Sequence, residues 1–216
     1  MRIMAIGAHS DDAELACGGT LAKAVGEGHE VRLLVMTDSS YESLHGAVLR
    51  TKDEAWDEAL EAARVLGIDE KYVKFLPFPT RELPYNADAI VETEKELNAF
   101  RPDVVLTHWP FDTHQDHRNA GLTTISAGRY YNSILMYEPM MPSGRSYVAF
   151  RPQIYVDISS CIEQKLEALR RHSSQFAKYG EDWIAAIESR CRLRGFEIGC
   201  KYAEAFEAAR FEWKLG

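Results

Sequence analysis

An α/β fold, with a mostly parallel sheet covered by helices on both faces, is the architecture this sequence predicts. Three observations carry that expectation. Short apolar runs alternate with segments of helical periodicity along most of the 216 residues. The runs are continuously apolar and do not alternate with polar residues, as expected of strands buried on both faces. The first two runs, "RIMAIGA" and "EVRLLVMT", are separated by one helical segment. Parallel neighbours need such a crossover, whereas an antiparallel pair needs only a turn.

The elements follow in order. "RIMAIGA" reads as a buried strand. Asp12 to Gly28 places Leu15, Leu21, Ala22 and Val25 at roughly helical spacing, and the glycines of "GEGH" stop that helix. "EVRLLVMT" is the second strand, and "DSSYESLHG" a loop. A long helix is expected from about Val48 to Leu66, ending at Gly67. "YVKFLPF" is a short strand, and "YNADAIVETEKELNAF" a helix ended by the Arg101-Pro102 step. "DVVLTH" is another buried strand, stopping at His108. A helix begins near Gln115 and runs through "TTISAGRYY"; "SILMYE" and "QIYVDIS" are strands. "SCIEQKLEALRRH" is a helix capped by Ser159 or Ser160, and "DWIAAIESRCRLRG" the last helix. No repeat or linker interrupts the series. One domain over 1–216 is expected, its part from about 150 completing it.

Composition narrows the function. A formal charge of −8 argues against general nucleic-acid binding, which depends on Lys and Arg neutralising phosphates. No window approaches a membrane span, and "MRIMAIGAHS" lacks the long apolar region of a signal peptide. The four cysteines are scattered without a CxxC pair, so a reduced, cytoplasmic chain is the expectation. Cys191 and Cys200 are not required to meet.

Two of the strands end in unusual chemistry. The first runs into "HSDD", the fourth into "HWPFDTHQDH". In open α/β sheets ligands sit beyond the carboxyl ends of the strands, so both motifs belong at one edge. A tight strand-to-helix turn can aim His9 and Asp12 at one spot, with Asp11 between them. Read alone, Asp11 and Asp12 are equally well explained as helix-start acids and His9 as a core-edge histidine. The second motif holds His108, His114 and His117, three of the seven histidines, with Asp112 and Asp116. His114 and His117 share a face of a helical turn, and Asp116 stands beside both as a partner that could orient an imidazole. Together the motifs supply two histidines and a carboxylate with a position left for water, the ligand pattern of a catalytic zinc site.

At this point the residues carry a resemblance. "AHSDDAELACGGTLAK" is similar to the "PHPDDAELGCGGT" signature of the LmbE-like (PIG-L) zinc-dependent deacetylases. "THWPFDTHQDHRNAG" resembles their second motif, and "VDISSCIEQKLEALRRHSSQ" and "RGFEIGCKYAEAFE" resemble C-terminal segments of the family. The resemblance implies a Rossmann-like fold, one zinc ion per chain, and removal of an N-acyl group, most often acetyl, from an amino sugar or its conjugate. It implies His9, Asp12 and His117 as metal ligands and Asp11 as the base that activates water. His114 is implied as the residue that stabilises the oxyanion, and Asp116 as the acid that orients it; on chemical grounds a protonated His114 could supply that stabilisation. Ala8 and Ser10 replace the family's flanking prolines, and Ala16 replaces a glycine. These departures bear on substrate more than on catalysis.

Around the site, Arg50 is expected to contact substrate, a role the resemblance suggests; a solvated helix-start arginine is the other reading. Trp109, Phe111, Tyr137, Met140 and Met141 are either an apolar wall for a sugar ring or core. Gly18, Gly19 and Thr20 lack a GxGxxG or GK[ST] pattern, so close helix packing explains them better than phosphate binding. Arg194 reads as a basic helix end. The expected partner is a small N-acetylated sugar or conjugate, with homo-oligomerisation open. An amidase acting on another N-acyl conjugate and a non-hydrolytic nucleotide-binding protein stand as alternatives.

Overall fold

The computed structural model describes residues 1–43 and 45–213; Leu44, inside the loop predicted over "DSSYESLHG", and residues 214–216 lie outside the described residues. The strands are β1 (Arg2–Gly7), β2 (Glu30–Thr37), β3 (Tyr41–Glu42), β4 (Val48–Arg50), β5 (Val73–Phe78), β6 (Val104–Thr107), β7 (Ile134–Tyr137), β8 (Ile154–Asp157) and β9 (Ala203–Arg210). The helices are α1 (Asp12–Gly26), α2 (Lys52–Val65), α3 (Ala87–Phe100), α4 (Gln115–Ala127), α5 (Ile162–Arg171) and α6 (Ser173–Ile198). Seven strands form one sheet in the order β5-β2-β1-β6-β7-β9-β8, and β3 and β4 form a separate hairpin. The five strands from β5 to β7 are parallel. Strand β9 runs antiparallel between β7 and β8. The mostly parallel sheet is therefore as predicted, with one antiparallel strand inserted.

The period-2 geometry of a strand sorts the apolar runs onto two faces. Ile3 and Ala5 of β1, with Val31 and Leu33 of β2, pack with α1, α2 and α5. Met4 and Ile6, with Leu34 and Met36, pack on the opposite face against Leu97 and Phe100 of α3 and Ala120 and Ala127 of α4. Both faces being covered is why these runs hold no polar alternation. A third cluster joins α5 and α6 through Ile162, Leu166, Leu169, Ile184 and Ile187.

Four boundaries differ from expectation for physical reasons. Val48–Arg50 does not begin α2 but pairs with Tyr41–Glu42. The helix starts after Thr51, where Thr51 and Glu54 form a reciprocal capping box. Helix α6 begins at Ser173, not Asp182, and continues past Gly180, which takes φ 66° and ψ −162° and breaks the helical path there. Neither Ser159 nor Ser160 caps α5; Cys161 occupies that position, and the Ser159 hydroxyl donates to Asp157. Arg194 lies inside α6, where its guanidinium binds Glu138 and Glu197.

The glycines of α1 serve close packing. A Cβ at Gly19 would lie 2.6 Å from Ile158 Cδ1 and 2.9 Å from its Cβ. The freed N–H groups of Gly19 and Thr20 donate to the carboxylate of Glu204 on β9, at 2.9 and 2.7 Å. That carboxylate also pairs with the fully buried Lys165 ammonium at 2.5 Å. A carboxylate of the chain itself thus occupies the place a nucleotide phosphate would need. All four cysteines are free.

Candidate active site

Strand order reverses between β1 and β6: the chain passes from β1 outward to β2 and β5, and from β6 outward to β7. The crevice above such a switch point is where open α/β sheets bind ligands. Both predicted motifs lie there, since β1 ends at Gly7 and β6 at Thr107.

The first motif turns sharply. A Cβ at Gly7 would stand 2.9 Å from the His9 carbonyl oxygen and 3.0 Å from Asp12 Cβ, so only glycine fits. The His9 N–H donates to Asp12 Oδ2 at 2.6 Å. Asp11 stands at the N-cap of α1 yet makes no side-chain cap hydrogen bond. Helix capping does not account for its carboxylate, which lines the cleft. In the second motif His114 is the N-cap of α4, and its Nδ1 accepts the Asp116 N–H at 3.2 Å.

These turns bring three predicted ligand residues together. His9 Nδ1 lies 3.2 Å from His117 Nε2. Asp12 Oδ2 is 3.5 Å from His9 Nδ1, and Asp12 Oδ1 is 3.3 Å from His117 Nε2. The outward ring nitrogens are both held by carboxylates. His9 Nε2–H donates to Asp116 Oδ2 at 3.0 Å, and His117 Nδ1–H donates to Asp112 Oδ2 at 3.1 Å. Each imidazole therefore turns a lone pair inward, the arrangement seen around metal-bound histidines. Two lone pairs and a carboxylate facing one another at about 3 Å demand positive charge, and a divalent cation fits the donor set.

The electrostatics agree. Burial alone would raise the pKa of Asp12, but His117 and His108 beside it hold the carboxyl well below its usual range. Burial would lower His117, but Asp12 and Asp112 outweigh it and raise the ring to about 10. In the absence of a cation a proton on His117 takes the cation's part.

Two other donor groupings lie close by: His9, His114 and His117, and Asp12, His108 and His117. His108 Nε2 faces both the Ala8 N–H at 3.0 Å and Asp12 Oδ2 at 2.9 Å, and its ring stacks on His117 at 4.3 Å. It lines a small pocket of about 40 Å³ with Trp109 and Tyr137, which Asp12 and His117 also border. His9, Asp11, Asp12, His114 and His117 open onto a cleft of about 340 Å³.

Three expectations need amendment. The Asp116 carboxylate orients His9, not His114; its other partners are the N–H groups of Arg81 at 2.6 Å and Leu83 at 3.2 Å. Burial, then His117 and His9, lower the His114 pKa to about 4, which favours the neutral ring over the imidazolium expected. Its Nδ1 being occupied as an acceptor, the proton of the neutral ring sits on Nε2. Arg50 does line the cleft, but it is buried, with Nε donating to the Ser39 carbonyl at 2.8 Å and Nη1 3.6 Å from Glu58. Of the five apolar candidates, Met140 and Met141 line the cleft. Trp109 and Tyr137 are buried, and Phe111 is exposed. Residues the sequence reading did not assign, Arg81, Lys178, Tyr179 and Trp183, complete the walls. The last three sit on α6, and Lys178 and Tyr179 belong to the part of it before Asp182 that was not expected.

Residues 4–127 match the family described as PIG-L: GlcNAc-PI de-N-acetylase. The chain is 31% identical over 218 residues to a diacetylchitobiose deacetylase of Thermococcus kodakarensis, covering 94% of this chain and 81% of the relative. Its fold superposes on the N,N'-diacetylchitobiose deacetylase of Pyrococcus horikoshii, solved with an inhibitor. The TM-score is 0.80 at 29% identity, over 96% of this chain and 83% of that one. The conserved protein TT1542 of Thermus thermophilus is similar at TM-score 0.82 and 27% identity, over 99% and 96% of the two chains. A metal-competent His/Asp cluster at the switch point, on a chain so matched, makes this protein a member of the PIG-L de-N-acetylase family and a deacetylase among the hydrolases.

Proposed function

We propose that this chain is a zinc-dependent N-deacetylase that removes the acetyl group of an N-acetylglucosamine-like amino sugar or its conjugate. The observation that carries the reading is the mutual approach of His9, Asp12 and His117 to within 3.2–3.5 Å, beside a cleft that Asp11 and His114 also line. In this reading those three residues hold one divalent ion per chain, zinc by preference for the mixed imidazole and carboxylate donors. A bound ion of this kind lowers the pKa of water towards ~7 and polarises an amide carbonyl.

The chain's own groups do the rest. Asp11, its carboxylate uncommitted to capping, takes the proton of the attacking water. His114 donates its Nε2–H to the carbonyl oxygen as negative charge develops there, and the Asp116 N–H on Nδ1 fixes that tautomer. Asp116 and Asp112 hold the two ligand rings in place. The C–N bond then breaks, and Asp11, carrying the proton, returns it to the leaving amine. The chain acts as one domain, since Glu204 near its end anchors α1 near its start. Four free cysteines suit a reducing cytoplasm, and among the described residues no helix is long and apolar enough to cross a membrane.

The test is metal analysis and acetate release from a panel of N-acetylated sugars, with wild type and His117→Ala. About one zinc per chain with acetate released, both lost in the variant, is the expected result. Full metal occupancy in the variant, or no acetate from any sugar with metal-loaded wild type, overturns the reading.

A further inference from the structure

Two cations rim the cleft without an acidic partner. Arg81 and Lys178 both line it, and among the described residues neither has a carboxylate at ion-pair distance. Arg50, the cleft's third cation, is by contrast committed to Ser39 and Glu58.

The backbone of Arg81 takes φ 71°, in the left-handed region that disfavours every residue with a Cβ and suits glycine. The turn itself is used: the Arg81 N–H donates to Asp116 Oδ2 at 2.6 Å, and its carbonyl accepts from Gln115 Nε2 at 3.2 Å. Glycine would make both bonds without strain. What arginine adds is a guanidinium on the cleft wall, steadied by one Nη2–H donated to the Glu42 carbonyl at 2.9 Å. Its other donors have no protein partner among the described residues. Lys178 is held at the rim by ring faces, its Nζ 4.6 Å from the centroid of Tyr179 and 6.0 Å from that of Tyr41. Its three N–H donors are likewise without a protein acceptor among the described residues.

We infer that Arg81 and Lys178 clamp an anionic substituent of the substrate, so that the enzyme selects N-acetylated amino sugars bearing a phosphate or carboxylate over neutral ones. The inference rests on the deacetylase reading and gives it a substrate class. A guanidinium pairs with either oxyanion through two parallel hydrogen bonds, and the ammonium adds a point charge. Tyr179 and Trp183, with ring centroids 6.0 Å apart beside Lys178, offer the sugar an aromatic surface.

The experiment compares kcat/KM for N-acetylglucosamine 1-phosphate, for the 1-O-carboxymethyl glycoside and for the neutral methyl glycoside. It uses metal-loaded wild type, Arg81→Gly and Lys178→Gln, with thermal melting as the folding check. Wild type should favour at least one anionic substrate by tenfold or more, and which one identifies the oxyanion. The anionic-to-neutral ratio should fall about tenfold in each variant, with Arg81→Gly melting no lower than wild type. A wild-type ratio near one, or a ratio unmoved by both substitutions, overturns the clamp. Calorimetric titration with glucose 1-phosphate and methyl glucoside, which have no amide to cleave, separates this inference from the deacetylase reading. Wild type should bind the phosphate at least tenfold more tightly, and Arg81→Gly should lose that difference. Equal binding of the two sugars overturns the clamp whatever the deacetylation assay shows.

Discussion

The carboxylate of Asp116 grips the ring of His9, a residue 107 positions earlier, while the ring of His114 beside it receives only the Asp116 backbone N–H. The segment after strand β1 and helix α4 are thereby joined at the candidate metal site. Asp116→Ala should weaken zinc affinity as well as turnover, by about 10–100-fold, the usual cost of losing a partner behind a metal-bound histidine. Chelator competition measures it. Unchanged affinity with reduced turnover would place Asp116 in the chemistry instead.

Asp11 and Asp12 are adjacent and chemically identical, yet their surroundings differ. Asp12 is drawn among three histidines, whereas Asp11 faces the cleft without a cap bond. Asp11→Asn should retain zinc and lose turnover by about 10²–10⁴-fold, the range for removing a general base. Asp12→Asn should lose the metal. Zinc content and acetate release of the pair decide this, and two active, metal-replete variants would return both residues to helix-start acids.

Metal affinity should depend on pH through His117. Its ring is raised to about 10 by Asp12 and Asp112 against the effect of burial, so a metal must displace a proton at any pH below that. Apparent zinc affinity should therefore rise at least about tenfold per pH unit between pH 6 and 8, with at least one proton released per ion, the pKa of His9 also being raised despite burial, by Asp116 and Asp12. A flat profile from chelator titrations at pH 6, 7 and 8 contradicts the proton on His117.

A second titration concerns stability. His172, at the junction of α5 and α6, is fully buried with Nε2 3.6 Å from Glu14. Burial lowers its pKa, but Glu14, with Asp11 and Glu58 beyond, raises it above the ordinary value of 6.5. The charged ring therefore stabilises the fold fully below 6.5, and that contribution is lost as pH rises through the higher folded-state value. The urea midpoint difference between wild type and His172→Gln should be larger at pH 6 than at pH 8.5; an equal difference shows that the pair is not ionic.

Gly121 tests the packing of α4 on the strand that ends at the site. A Cβ there would sit 2.5 Å from the His108 carbonyl oxygen, a backbone atom that cannot swing aside. Gly121→Ala should destabilise by about 1–3 kcal/mol, as overpacking does, and lower zinc affinity by shifting His117. A wild-type denaturation midpoint would show that the helix slides freely.

The parallel strands were legible because each is a short apolar run, and burial on both faces requires that composition. The meeting of the two motifs was legible because each follows a buried strand, and in an open α/β sheet such strand ends share one edge. Strand β9 was not: "AEAFEAAR" is built from strong helix formers, and its strand state comes from neighbours β7 and β8. Its buried Glu204 and Glu207 become acceptable only against Lys165 and Arg151, distant in sequence. Arg81 and Lys178 escaped because an exposed cation carries no pattern, and its meaning appears only once the cleft around it exists. The target of Asp116 escaped because sequence proximity favoured His114, while the fold brought His9 closer.

Strand β9 also ties distant parts of the sequence to the helix that carries Asp12. It lies inside the sheet, between β7 and β8, and delivers the carboxylate that satisfies Gly19, Thr20 and Lys165. Without it the helix bearing Asp12 would keep two N–H groups with no acceptor from Glu204, and the lysine beneath would lose its counter-charge. The part of the sequence that holds both histidine motifs is thus fastened from outside itself, by a carboxylate 185 positions beyond Gly19.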